Sequence, residues 1–67
     1  MRTMKELINL IETFFTLING VKIESEESQI VVMCVCSIQA NLGYEVTMRG
    51  ESDVKKELIS YINYFNK

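Results

Sequence analysis

The chain has no histidine, no tryptophan and no proline, and only three glycines and two cysteines among its 67 residues. Each shortage excludes something. Histidine is the commonest general base near neutral pH, so its absence removes the usual Ser-His and Cys-His nucleophile pairs. The glycines stand apart at turn positions, and no dinucleotide-binding or Walker-type phosphate loop can be built from them. Two thiols without an imidazole fall short of the four ligands of a structural zinc site. No catalytic residue, metal or cofactor is therefore expected. Seven Lys and Arg against nine Asp and Glu leave a net charge of −2. That excludes a strongly basic nucleic-acid binder, so no direct nucleic-acid contact is expected. It is also too small a charge to argue a DNA mimic from composition. The longest apolar run, Ile30 to Cys36, is far shorter than the roughly 20 residues that span a bilayer. The first residues, MRTMKELINLIETFF, contain no uninterrupted apolar stretch and no small-residue cleavage site. Together with the two cysteines, this predicts a reducing, cytoplasmic setting without membrane attachment.

What is present is one small domain, residues 1–67, with 48% apolar residues. A core of this size rarely supplies more than about 3–5 kcal/mol of stability, so such domains often lean on a partner. Thr3 with Glu6 reads as a capping box. Met4, Leu7, Ile8, Ile11, Phe14, Phe15 and Ile18 then follow at helical spacing, and Asn19-Gly20 supplies a stop. The pattern predicts a helix over 4–18. Val54, Leu58, Ile59, Tyr61, Ile62 and Phe65 predict a closing helix over 53–65, capped by Ser52 or Asp53.

Between the helices the pattern suggests strands. Val21 to Glu24 alternates, Glu26-Glu27-Ser28 is a polar break, and Asn41-Leu42-Gly43 offers turn residues. Tyr44, Val46 and Met48 alternate with Glu45, Thr47 and Arg49. The central stretch, Gln29 to Ile38, is apolar on both of its alternating faces: Ile30, Val32, Cys34, Cys36 and Ile38 on one side, and Val31, Met33 and Val35 on the other. The expected fold is α+β, in the order α-β-β-β-α: a three-stranded antiparallel meander with both helices packed on one face. The competing layout, one helix on each face, calls for outer strands apolar on both sides, and these have only one.

The same-side layout leaves Val31, Met33 and Val35 in the open, rimmed by Lys22, Glu24, Glu45, Thr47 and Arg49. An apolar centre inside a polar rim is how protein interfaces are commonly built, so these eight residues are the expected partner-binding surface. Glu26 and Glu27 add an acidic secondary patch that would steer association. The pair Cys34 and Cys36 is expected to be small buried apolar filling, with a metal- or redox-responsive role as the competing reading.

The order of elements resembles that of one kind of small phage anti-CRISPR protein, an inhibitor of RNA-guided nucleases. The features that carry the resemblance are KELINLIE as a first helix, a meander built on a QIVV strand, and ESDVKKELISYI as a polar lead into a closing helix. The resemblance implies a compact inhibitor that acts in the host cytoplasm by occupying a site on a larger host protein. Some members are strongly acidic and imitate DNA; this chain is barely acidic and shorter at its C-terminus. The expectation is thus a small protein-binding inhibitor or modulator, the alternative being a homodimeric structural or regulatory module that assembles through its sheet face.

Overall fold

The structure, a computed structural model, describes the backbone of residues 2–67 and the side chains from residue 4 onward. Among the described residues it contains four α-helices and no strand: α1 (Arg2–Ile18), α2 (Glu26–Ala40), α3 (Leu42–Arg49) and α4 (Glu51–Phe65). The two terminal helices match their sequence expectation closely. The capping box at Thr3 involves a side chain outside the described residues. The three-stranded meander is absent, and with it the sheet on which both helices were to pack.

Helix α1 buries Leu7, Ile11 and Phe14, one stripe at spacings of four and three. It lies against α4, whose Val54 and Leu58 are fully buried. Two contacts fix the direction of this pair. Lys55 Nζ sits 2.5 Å from Glu6 Oε1 near the start of both helices. The rings of Phe14 and Phe65 meet edge to face at 5.6 Å near the end of both. The first and last helices therefore run parallel, and α2 and α3 carry the chain back between them.

Gly20, at φ +81°, takes the left-handed conformation that closes α1, and Val21 donates its N–H to the Ile18 carbonyl at 3.0 Å. Residues 21–24, expected as a strand, form an irregular connection. The expected polar break at Glu26-Glu27-Ser28 is the first turn of α2. Ser25 is its N-cap: the Ser25 hydroxyl accepts the Ser28 N–H at 3.1 Å, while the Ser28 hydroxyl donates to the Ser25 carbonyl at 2.9 Å. A cap of this kind contributes roughly 1 kcal/mol, and Glu26 and Glu27 face the positive end of the helix dipole.

The stretch 29–38 is helical because its burial is helical. Ser28, Val31, Val35 and Ile38 turn inward at spacings of three, four and three. Valine and isoleucine cost a few tenths of a kcal/mol each in a helix. Burying a side chain of that size contributes about 1.5–3 kcal/mol, so packing outweighs propensity. The expected strand 44–49 belongs to α3, and the expected turn at 41–43 shrinks to Asn41, which alone separates α2 from α3. Gly50, at φ +86°, ends α3 by donating to the Val46 carbonyl and also begins α4. Neither Ser52 nor Asp53 caps α4; both lie inside its first turn.

Candidate interaction surface

The helical fold divides the expected contact surface. Successive residues of a helix are rotated by about 100°, so Val31 and Val35 share a face while Met33 points away from it. Val35 is fully buried and Val31 nearly so; both belong to the core and are not available to a partner. Met33 is 68% exposed. Lys22 and Glu24 lie in the connection before α2, exposed. Glu26 and Glu27 are exposed in its first turn. Glu45, Thr47 and Arg49 sit on α3, past the other end of α2. The polar residues thus flank the two ends of α2 and do not ring a common centre.

What the structure brings together instead is an outward stripe on α2. Ile30, Met33, Ser37 and Ala40 repeat at three, four and three residues, and all are exposed. This stripe has the same spacing as the buried one, displaced by two residues. Helix α2 therefore carries two seams of heptad type, one filled by the core and one open. No residue from Ser28 to Tyr44 is charged. On α3, Tyr44 and Met48, one turn apart, are 65% and 64% exposed. The seam could have been found in the sequence by testing the central run for a 3-4 repeat as well as for alternation.

The two cysteines are free. Two residues apart on a helix, they point in different directions and cannot bond to each other. Cys36 is exposed, which corrects the expectation that both are buried; Cys34 is half-buried beside Tyr61. Among the described residues no group of three His, Cys, Asp or Glu could hold a metal. No single described helix is long and apolar enough to cross a membrane; α2 and α3 reach that length and composition only together, across a 92° bend.

A polar row ties α3 to α4. Arg49 reaches Glu45 one turn back at 2.6 Å and also donates to Glu57 on α4. The Tyr61 hydroxyl donates to the other oxygen of Glu57 at 2.5 Å. Burial pushes the Glu57 carboxyl up, but the bonds from Tyr61 and Arg49 outweigh it and hold the group below its ordinary range. Burial, then the Glu57 carboxylate and the Cys34 thiol, hold the Tyr61 hydroxyl well above the ordinary phenol range. The bonds to Glu45 and Glu57 likewise favour the charged Arg49.

These shifts set the pH dependence. A carboxyl whose folded pKa is lowered contributes stability above its ordinary value and loses it as pH falls through the folded value. A phenol with a raised pKa contributes below its ordinary value and loses that contribution as pH rises. Glu45, Glu57 and Tyr61 are only half-buried and Arg49 is exposed, so solvent screens the row and both effects are small. Replacing Arg49→Met together with Tyr61→Phe is expected to flatten the acid limb of stability. Melting curves from pH 7 to pH 3 check this: the wild-type melting temperature should fall more steeply below the ordinary glutamate pKa than that of the double variant. Parallel acid limbs would show that Glu57 is not held down by these partners.

Comparison with protein-family models, with curated protein sequences and with solved structures returned no match to this chain.

Proposed function

We propose that this chain is a small, non-catalytic protein-interaction module, and that its working surface is the open seam of α2 with the exposed residues of α3. The observation that carries the reading is the second heptad stripe, Ile30, Met33, Ser37 and Ala40, uncharged and turned to solvent. A helix apolar on one face is satisfied by its own core; a helix with a second apolar face has one face left for something else. Recognition of a helix face through side chains at these spacings is a recurrent mode of protein binding. The lack of histidine supports the non-catalytic part. An inhibitor that occupies a site on a larger protein would use the same surface. The strand order behind the anti-CRISPR resemblance is not present, so the fold adds nothing to that narrower reading.

The test is a photo-crosslinking side chain placed at Met33, compared with one at Asn9 on the exposed polar side of α1. In cells that make the protein, the probe at Met33 should yield a covalent protein adduct and the probe at Asn9 should not. Equal yields, or none at Met33, would refute the assignment of this face.

A further inference from the structure

We infer that the occupant of the open α2 seam is a second copy of this chain, docked antiparallel about a two-fold axis that passes between Met33 and Ser37 on the outward face; the inference rests on the reading of that face as an interaction surface. A two-fold contact must be self-complementary. The seam meets that requirement in charge and in size.

The charge argument concerns the ends of α2. The seam itself has no charge, but Glu24 stands just before the helix and Glu26 and Glu27 open it. In a parallel pair, these acids would face their own copies. In an antiparallel pair they lie at opposite ends of a 15-residue helix, on the order of 20 Å apart and beyond the Debye length of about 8 Å at physiological salt. Only the antiparallel arrangement leaves them unopposed by one another.

The size argument concerns the seam. Its first half holds the large residues, Ile30 and Met33; its second half holds the small ones, Ser37 and Ala40. Antiparallel pairing places Ile30 opposite the partner copy's Ala40 position and Met33 opposite its Ser37 position. Each layer then joins a large side chain to a small one, which is how packed layers interdigitate. Parallel pairing would set large on large at one end and leave a gap at the other. A seam of three turns is smaller than the roughly 800 Å² per partner of a standard interface. Tyr44 and Met48 supply further exposed apolar surface on the helix that follows Ala40. Neutrality also argues against other occupants: a strongly basic or acidic partner, or an anionic lipid surface, would find no opposite charge along this seam.

The experiment is sedimentation equilibrium of the purified chain over a range of concentrations, with helical circular dichroism as the check on folding. The wild type is expected to approach twice its 7.8 kDa mass as concentration rises. Met33→Glu, at an exposed site, should keep the helical signal and weaken self-association by more than about tenfold, because the carboxylate would be buried without a partner. Ser37→Lys should do the same independently. The two substitutions together should restore association, since antiparallel pairing sets each new acid against the other copy's new base; parallel pairing would oppose like charges. A wild type that stays monomeric, or a dimer indifferent to both single changes, overturns the inference. A double variant no better than the singles overturns the antiparallel arrangement. Because the crosslink at Met33 is scored separately and by product mass, a monomeric wild type with a heavier cellular adduct would refute the second copy and leave the face intact as an interaction surface.

Discussion

Replacing Phe14→Ala is expected to unfold most of the population at room temperature. Phe14 is completely buried and meets two rings edge to face, Phe15 at 5.4 Å and Phe65 at 5.6 Å. Truncating a buried phenylalanine typically costs about 3–5 kcal/mol, the lost transfer free energy plus the cavity left behind. Aromatic pairs of this geometry contribute roughly 0.5–1.5 kcal/mol beyond area, and both would be lost. A domain this short holds only about 3–5 kcal/mol in its core, so the loss is comparable to the whole. Urea titration of the wild type and the variant, followed by far-ultraviolet circular dichroism, measures it. A cooperative transition in the variant within 1 kcal/mol of the wild type, an allowance far below the roughly 3 kcal/mol floor expected, would mean that the aromatic group is not the keystone of the α1–α4 contact.

The second large effect separates two residues that stand next but one to each other. Val35→Glu is expected to abolish folding, whereas Met33→Glu leaves the monomer intact. Val35 is completely buried in the apolar cluster that holds Leu7, Ile11, Phe14, Val54 and Leu58. An ionised carboxylate buried without a partner costs several kcal/mol even after relaxation, more than this core can offset. Met33 faces water, so its replacement leaves the core untouched. On a strand, residues 33 and 35 would share one face and the two substitutions would act alike; on a helix they cannot. Circular dichroism and melting of the two variants side by side therefore tests the helical assignment of α2 directly. Similar melting behaviour would refute it.

The ends of the molecule were legible and its middle was not, for a physical reason. In α1 and α4 apolar and polar residues segregate at a single period, and a glycine marks the end of the first and the start of the last. In α2 every position from Ile30 to Cys36 is apolar, so alternation and helical repeat are satisfied equally and periodicity loses its power to choose. Alternation read on its own gives a strand. Two signals pointed the other way. Ser25 followed by two glutamates is a helix start, and Glu45 with Arg49 is an ion pair at helical spacing. The candidate surface was half legible. The central run holds more apolar residues than the core takes in, and Met33 is among those left exposed. Val31 and Val35 were placed beside it only because the wrong period was applied.

The parallel pairing of α1 with α4 has a consequence for how the chain comes into being. Its defining contacts, Glu6 with Lys55 and Phe14 with Phe65, join residues about fifty positions apart, so a long loop must close before the core rewards it. During synthesis, α1 leaves the ribosome with Leu7, Ile11 and Phe14 and meets its main mate only when α4 is made. A fragment lacking α4 leaves that stripe without Val54, Leu58 and Phe65. The nascent protein therefore carries that apolar stripe only partly covered while α2 and α3 are made, and its core closes once α4 emerges.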